Sequence, residues 1–261
     1  MNFHLCVHNL KRRIRKSQGK KTNYRKFLIL AVLFGALLVG GSITAFSNYG
    51  KQNKSSTEAN PQNIQQLISN LTTPVIPGAT ALGKPDAPIN IVEFGDYQCP
   101  FCARFNAETK ETLVSKYVDT GIVRFGFKDL VINDLPKDRL STLGAEASYC
   151  AADQDKYWDY HDEVYRNSRG ENTGWVSKES LITFAKNVNM TDISEFTNCL
   201  DSHKYSKLVA ENDLFAKGLG LASTPTFLIL KDNSTRIAAI EGAQPMKVFD
   251  DVIGQLLNNT L

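Results

Sequence analysis

The motif Cys99-Pro100-Phe101-Cys102 of this 261-residue chain lies between a predicted strand and a predicted helix. Residues 89–94 form an apolar run after two prolines, as expected of a buried strand. Residues 103–118 are good helix formers with apolar side chains at helical spacing. The motif therefore opens a helix at the end of a buried strand.

Two cysteines at a helix start can exchange thiols and disulfides. We expect the sulfur of Cys99 to face solvent near unpaired backbone N–H groups and the positive end of the helix dipole, which favours its thiolate. Cys102 lies one turn further along, within bonding reach. Cys99 is therefore predicted to form mixed disulfides and Cys102 to resolve them.

Zinc sites use the same cysteine spacing, but they need a second pair of ligands. Cys150 and Cys199 are 49 positions apart, with no CxxC or HxxxH pattern near them. His161 is expected to be a packed or surface histidine. We therefore expect no metal site, and thiol–disulfide exchange needs no cofactor beyond the two sulfurs.

Glu93 lies six positions before Cys99 on the otherwise apolar strand, where burying an acid is costly. One interpretation is a strand-end carboxylate that simply reaches water. The interpretation we favour is a partly buried Glu93 with a raised pKa that exchanges a proton with Cys102, directly or through water.

Ser223-Thr224-Pro225 precedes the apolar strand predicted at residues 226–230. Proline cannot donate a hydrogen bond to a sheet, and an X-Pro bond leading a strand is a candidate cis bond. An ordinary trans proline in a turn is the alternative. We predict a cis bond between Thr224 and Pro225.

The spacing of apolar residues in the rest of the sequence predicts the order of the strands and helices. A strand at 122–127 is followed by helical segments at 141–152, 156–166, 178–188 and 191–217, a hairpin of strands at 226–230 and 236–240, and a closing helix at 245–257. This α/β order resembles a thioredoxin-like fold with a helical domain inserted at about residues 140–219. The folded domain is expected to span residues 76–261.

The amino-terminal region predicts a membrane anchor. Residues 27–46 carry no charge and would span about 30 Å as a helix. Nine Lys and Arg residues and no acid precede them, which places the amino terminus inside. We predict a basic cytoplasmic tail (1–26), a transmembrane signal anchor (27–46) and a polar linker (47–75), with the domain outside the cell membrane. A cleaved signal peptide is the alternative, and it also exports the domain.

The net charge of the predicted domain argues against nucleic acid as a partner. Without the basic tail, the chain has 21 Lys and Arg residues against 27 acidic ones. The domain is therefore net negative, and we expect it not to bind nucleic acid.

Several segments together resemble the DsbA-like thiol–disulfide oxidoreductases. They are Asp86-Ala87-Pro88, residues 92–102 (VEFGDYQCPFC), Cys150-Ala151-Ala152 with Tyr157-Trp158, and Thr224-Pro225-Thr226-Phe227. The resemblance covers about residues 76–261. It implies an enzyme that donates its disulfide to the thiols of newly exported proteins and is reoxidised by a quinone-coupled membrane partner of DsbB-like or VKOR-like type.

The resemblance also implies roles at the site. A cis-proline loop in such proteins lies against the CxxC disulfide and leaves the backbone of the preceding residue, here Thr224, free to pair with an extended substrate. The predicted catalytic residues are Cys99, Cys102, Glu93, Thr224 and Pro225.

The centre of the motif, Pro100-Phe101, departs from the strongest oxidants, which carry histidine at the second position. Phenylalanine cannot donate a hydrogen bond or a positive charge to the Cys99 thiolate. We therefore expect a weaker oxidant than DsbA (about −120 mV) but a stronger one than thioredoxin (about −270 mV). Phe101 and Tyr97 are alternatively predicted to form an apolar rim that accepts unfolded substrates.

Cys150 and Cys199 are expected to form a structural disulfide, since an exported domain usually pairs its cysteines. A loop of this length contributes about 4 kcal/mol in the chain-entropy model. A second redox pair that relays electrons to the motif is the alternative.

Three functions follow from these features. The first is an oxidase for exported proteins. The second is a reductase or isomerase of the same fold. Isomerases of this type usually carry a dimerisation module, and the stretch before residue 76 is too short and polar to be one. We therefore expect a monomer. The third is a tethered peptide-binding chaperone in which the motif is only structural.

Overall fold

The computed structural model describes residues 61–232 and 234–260. In this part of the chain a five-stranded sheet has helices against both faces. Its strands are β1 (Ala81–Leu82), β2 (Ile89–Gly95), β3 (Val123–Asp129), β4 (Thr226–Lys231) and β5 (Ile237–Glu241). The α-helices are α1 (Pro61–Thr72), α2 (Pro100–Phe105), α3 (Glu111–Leu113), α4 (Leu140–Ala152), α5 (Tyr157–Arg166), α6 (Lys178–Asn187), α7 (Ile193–Asp201), α8 (Ser206–Gly218) and α9 (Met246–Leu257).

The helix that begins after Cys99 is longer than α2 alone. The π-helical segments Asn106–Lys110 and Val114–Val118 lie on either side of α3, and the backbone stays in the right-handed helical region at each junction. We call the whole stretch, residues 100–118, the motif helix. It corresponds to the helix predicted at 103–118.

β2 lies at the centre of the sheet. The strand order is β1-β3-β2-β4-β5, with β2 parallel to β3 and antiparallel to β4. All seven residues of β2 are buried. A strand covered on both faces reads as a continuous apolar run, which is the pattern seen in the sequence.

The two faces of the sheet have separate cores. The motif helix and α9 cover one face, where Phe105 and Phe249 of these helices pack against Ile89, Ile91 and Phe227 of the sheet. On the other face α1 and α8 cover Val92, Phe94, Leu228 and Leu230. The motif therefore begins a helix that packs on the same side of β2 as Ile91 and Glu93.

The helical insert occupies the predicted place. Helices α4 to α8 lie between β3 and β4. Their core includes Tyr149, Tyr160, Leu181 and Phe196 from the insert and Tyr97 from the turn before the motif helix. The thioredoxin-like α/β architecture with an inserted helical domain is confirmed.

One predicted helix is divided in two. Residues 191–217 were expected to be a single helical segment, but α7 ends at Asp201 and α8 begins at Ser206. His203 between them adopts the left-handed conformation, with φ of 51°. The apolar spacing continues across this turn, so periodicity alone does not reveal the break.

The predicted polar linker at 47–75 is wrong for residues 61–75. These residues belong to the folded unit, where Leu71 of α1 is buried and Ile68 packs against the same core. The Nζ of Lys128 on β3 also donates a hydrogen bond to the carbonyl oxygen of Thr73 at 3.0 Å. The segment is polar overall, but its few apolar residues share one helix face. Residues 47–60 lie outside the described part.

No helix within residues 61–232 and 234–260 has the length and apolar character needed to cross a bilayer. The predicted tail at 1–26 and the predicted anchor at 27–46 lie outside the described residues. Cellular location therefore stays a sequence-based prediction.

Candidate active site

The backbone places Cys99 at the start of the motif helix. Cys99 is the N-cap residue with extended dihedrals (φ −72°, ψ 119°), and Pro100 occupies the first helical position. Proline is favoured there because its missing N–H has no helical partner to lose. The N–H of Cys99 donates to the carbonyl oxygen of Asp96 at 2.9 Å, which closes the turn between strand and helix.

The sulfur of Cys99 is less exposed than the sequence suggests. The residue is only 4% exposed, so the expectation that it faces solvent is wrong in this structure. The cause is tertiary: the Cys99 thiol donates to the carbonyl oxygen of Thr224, 3.3 Å away on a loop remote in sequence. Cys99 and Cys102 are both free thiols here, and Cys102 is fully buried.

The two thiols differ sharply in acidity. A hydrogen bond from the Cys102 thiol is the largest cause lowering the pKa of Cys99, to about 6; backbone N–H groups of Cys102 and Phe101 add to it, while burial opposes it. Burial raises the pKa of Cys102 well above its usual value. At neutral pH the outer sulfur is therefore mostly a thiolate and the inner one a thiol.

The Thr224–Pro225 peptide bond is cis, as predicted. Pro225 leads into β4, which pairs with β2, so the loop lies beside the end of the strand that carries the motif. The hydroxyl oxygen of Thr224 is buried without a hydrogen-bond partner among the described residues. The cis bond and the Cys99 contact bring two of the predicted segments together.

Glu93 is buried completely rather than partly, with 1% of its surface exposed. In register it lies between Phe127 on β3 and Phe227 on β4, so its strand neighbours are aromatic. Neither carboxylate oxygen has a hydrogen-bond partner among the described residues. Burial is the main cause raising its pKa to about 8, partly opposed by Lys110, so Glu93 is largely protonated at neutral pH.

Asp96 is a structural residue of the site that sequence reasoning missed. It is 2% exposed, and its carboxylate accepts hydrogen bonds from the backbone N–H groups of Gln98, Ile132 and Asn133 at 2.8 to 2.9 Å. These bonds tie the turn before Cys99 to the loop after β3. Its position three residues before Cys99, in the turn, is the one signal in the sequence, but the partners at 132 and 133 are not predictable from it.

Tyr97 does not contribute to an apolar rim, since it is 1% exposed. Its ring stacks on Tyr165 and its hydroxyl is 2.9 Å from Nδ1 of His161. His161 is itself buried, which agrees with a packed histidine. Among the described residues, no group of three or more His, Cys, Asp and Glu side chains is placed to hold a metal ion.

Phe101 is on the surface beside the buried cysteines, with 50% of its area exposed. The guanidinium carbon of Arg104 lies 5.0 Å from the centroid of its ring, a cation–π contact. Phe101 alone therefore provides the apolar surface that was expected from Phe101 and Tyr97 together.

Cys150 on α4 and Cys199 on α7 form a disulfide, with Cα atoms 5.8 Å apart. Both residues are at least nine-tenths buried, in the core of the helical insert. The bond joins two helices of the insert, whose core also includes Cys99 and Cys102.

A protein-family model described as Thioredoxin matches residues 76–244. The chain belongs to this thioredoxin family. Disulfide bond formation protein D of Bacillus subtilis is 29% identical over 156 residues, which are 60% of this chain and 69% of that protein. These similarities and the CPFC site show that the chain is a thiol–disulfide oxidoreductase.

Solved structures give the same fold. The crystal structure of oxidised BdbD from Bacillus subtilis matches with a TM-score of 0.62 and 26% identity, covering 71% of this chain and 96% of that one. DsbA of Chlamydia trachomatis matches with a TM-score of 0.59 and 21% identity, covering 70% of this chain and 93% of that one. The architecture is therefore DsbA-like.

Proposed function

We propose that the protein is a membrane-anchored oxidase that introduces disulfides into exported proteins. The observation that carries this proposal is the placement of Cys99 at the helix start, above the buried Cys102 and 3.3 Å from the carbonyl oxygen of Thr224 in the cis-proline loop. The lowered pKa of Cys99 and the raised pKa of Cys102 agree with it. A stabilised Cys99 thiolate favours the reduced enzyme, so the enzyme disulfide tends to pass to a substrate. The similarity to disulfide bond formation proteins supports the same direction.

The proposed reaction uses the Cys99–Cys102 disulfide as its oxidant. A substrate thiolate attacks the sulfur of Cys99, the Cys99–Cys102 bond breaks, and Cys102 leaves as a thiolate that takes a proton from Glu93. A second substrate thiolate then attacks the mixed disulfide and releases the Cys99 thiolate. The two substrate thiols lose their protons to water before they attack, and they lose two electrons as their disulfide forms. The enzyme gains those two electrons as a Cys99 thiolate and a Cys102 thiol, and Glu93 is left as a carboxylate.

Glu93 suits this role because of its environment. At neutral pH it is largely protonated and can neutralise the departing Cys102 thiolate. When the enzyme is reoxidised, the carboxylate form can take the proton back from the Cys102 thiol. Thr224 and Pro225 would hold the substrate beside Cys99 through the backbone of the cis-proline loop.

Reoxidation would come from a membrane partner of DsbB-like or VKOR-like type, and the enzyme would act as a monomer. Trapping of mixed disulfides tests in one experiment which substrates and which membrane partner react with the enzyme. The Cys102→Ala variant should accumulate mixed disulfides with exported proteins through Cys99, and Cys99→Ala/Cys102→Ala should accumulate none. Equal recovery from both variants would rule out exchange at Cys99.

The direction of electron flow is tested by redox titration against glutathione. An oxidase should have a potential between those of DsbA and thioredoxin, about −120 and −270 mV. A potential at or below that of thioredoxin would instead identify a reductase.

The proposed location rests on residues 1–46 of the sequence, which predict an inside amino terminus and an exported domain. A variant lacking Cys99 and Cys102 and carrying Lys207→Cys offers an exposed reporter thiol, since the Lys207 side chain is 88% exposed. In intact cells an impermeant maleimide should label this reporter and leave Cys6 in the tail unlabelled. Labelling of both only after lysis would place the domain inside.

A further inference from the structure

Gln98, the residue immediately before Cys99, has a polar side chain with no exposed surface. The exchange reaction described above makes no use of this side chain. Burying an amide costs free energy unless its N–H and C=O groups find hydrogen-bond partners. The partners of the Gln98 amide therefore show what its burial achieves.

The amide nitrogen and the amide oxygen of Gln98 both have partners. The nitrogen donates to the hydroxyl oxygen of Ser141 at 2.9 Å and to the carbonyl oxygen of Asn133 at 3.4 Å. The oxygen accepts from the backbone N–H of Asn172 at 3.1 Å. A backbone N–H can only donate and a backbone carbonyl can only accept, so the orientation of the amide is fixed. Residue 98 is thereby tied to the loop after β3, to α4 and to the loop between α5 and α6.

The segments that hold Gln98 are themselves held in place. The N–H of Ser141, which is 1% exposed, donates to the carboxylate of Asp134 at 2.7 Å. Across the loop that carries Asn172, the indole N–H of Trp175 donates to the carbonyl oxygen of Gly170 at 2.7 Å. Trp175 is also part of the core of the insert. Gln98 is therefore attached to fixed parts of the fold.

The turn that contains Gln98 also carries the reactive sulfur. The N–H of Cys99 donates to the carbonyl oxygen of Asp96, and the sulfur of Cys99 lies 3.3 Å from the carbonyl oxygen of Thr224. One planar peptide unit joins Gln98 to Cys99, so a displacement of residue 98 also displaces residue 99. Such a displacement would change the distance from the sulfur to the cis-proline loop and to the N–H groups at the start of the motif helix.

We propose that Gln98 is a positioning residue for thiol–disulfide exchange at Cys99. Its amide, held by the helical insert and by the loop after β3, fixes the sulfur beside the cis-proline loop and at the start of the motif helix. The insert thus supports the reactive sulfur through a side chain that never touches substrate. This inference rests on exchange at Cys99 in the proposed function and not on the direction of electron flow.

The test measures the pKa of Cys99 in the reduced full-length protein. The rate of alkylation by iodoacetamide is followed against pH, with mass spectrometry of the peptide that contains Cys99. Gln98→Met retains an unbranched side chain of similar length but lacks the three amide hydrogen bonds. The pKa of Cys99 should rise in this variant by about one unit, because a sulfur that is no longer fixed spends less time near the donors that stabilise its thiolate. A side chain that only filled the core would not change the acidity of the folded protein.

Ser141→Ala tests the same contact from its other end. This variant leaves the turn at 96–99 unaltered and removes one partner of the Gln98 amide, so the pKa of Cys99 should rise by less than in Gln98→Met. The double variant should have the pKa of Gln98→Met alone, since Ser141 then has no amide to hold. A double variant whose shift equals the sum of the two single shifts would overturn the proposal.

Gln154 offers a matched control in the insert. Its amide also joins two segments, since it donates to the carbonyl oxygen of Asp192 at 2.9 Å and accepts from the N–H of Asp192 at 2.7 Å. Gln154→Met should leave the pKa of Cys99 unchanged. In Gln98→Met, a pKa within about 0.2 units of the wild type, or below it, would overturn the proposal. If Gln98→Met does not fold, Ser141→Ala decides by the same criterion.

The wild-type measurement separates this inference from the proposed function. If wild-type Cys99 titrates near 8.5, the stabilised thiolate of the proposed function fails, and the role of Gln98 fails with it. If the wild type titrates at about 6 and Gln98→Met does the same, only the role of Gln98 fails. The Cys102→Ala trap remains an independent test of the proposed function, because it requires exchange at Cys99 but no particular side chain at position 98.

Discussion

The sulfur of Cys99 lies 3.3 Å from the carbonyl oxygen of Thr224, within hydrogen-bond distance when the thiol is protonated, although the two residues are 125 positions apart in sequence. This contact places the start of the motif helix against the cis-proline loop. An extended substrate that paired with the backbone of Thr224 would therefore lie directly beside the reactive sulfur. The same contact limits the exposure of Cys99 in the free enzyme.

The first prediction concerns the acidity of Cys99. Alkylation with iodoacetamide across a pH series should show a thiol with a pKa of about 6, because a hydrogen bond from Cys102 and the backbone N–H groups favour the thiolate. Phe101→His should lower this pKa further by adding a donor beside the motif, and Phe101→Leu is the control without one. Each unit by which the pKa of Cys99 falls corresponds to about 1.4 kcal/mol in favour of the reduced enzyme, or about 30 mV in its reduction potential. A thiol that titrates near 8.5, like a free cysteine, would contradict the prediction.

Glu93 should make the reduced protein less stable as pH rises. Its pKa is about 8 in the folded state against 4.5 for the ordinary side chain, so the folded state holds the proton more tightly and stability falls between these two values. Glu93→Gln lacks this ionisation. The free energy of unfolding of Glu93→Gln should therefore rise relative to that of the wild type between pH 5 and pH 9, to a difference of about 3–5 kcal/mol. Urea unfolding at several pH values measures it, and parallel curves for the two proteins would disprove it.

Asp96→Asn should destabilise the protein without removing any catalytic group. The amide has one acceptor oxygen in place of two, so one or more of the backbone N–H groups of Gln98, Ile132 and Asn133 lose their partner. Each buried unpaired group costs about 1–3 kcal/mol. Hydrogen exchange should show faster exchange at 132 and 133 with little change in the strands. Asp134, on the same loop, accepts a hydrogen bond from the N–H of Ser141 in α4 and offers a comparison through Asp134→Asn.

The disulfide between Cys150 and Cys199 should stabilise the fold independently of the redox motif. Replacing both with alanine should lower the free energy of unfolding by about 2–5 kcal/mol, because a loop closed over 49 positions is lost from the unfolded chain. The reactivity of Cys99 should persist below the new unfolding temperature. Mass spectrometry after mild reduction should find this disulfide intact when the Cys99–Cys102 bond has opened; simultaneous opening would favour a second redox pair.

Local patterns in the sequence determined most of the architecture. The apolar run of β2, the CPFC motif before good helix formers, and Thr224-Pro225 before β4 each act over a few residues, and each lies where it was predicted. The helical insert follows from periodicity in the same way. The division between α7 and α8 and the packing of α1 were missed, because a turn at His203 and the burial of Leu71 depend on neighbours outside the local pattern.

The arrangement around the sulfurs was decided only by tertiary structure. The sequence showed an acid on an apolar strand, but its complete burial follows from Phe127 and Phe227 in adjacent strands. The partners of Asp96 at 132 and 133, the partners of the Gln98 amide, and the covering of Cys99 by the Thr224 loop all join segments far apart in the chain. Burial and electrostatic coupling depend on distances in space, and sequence spacing does not contain them.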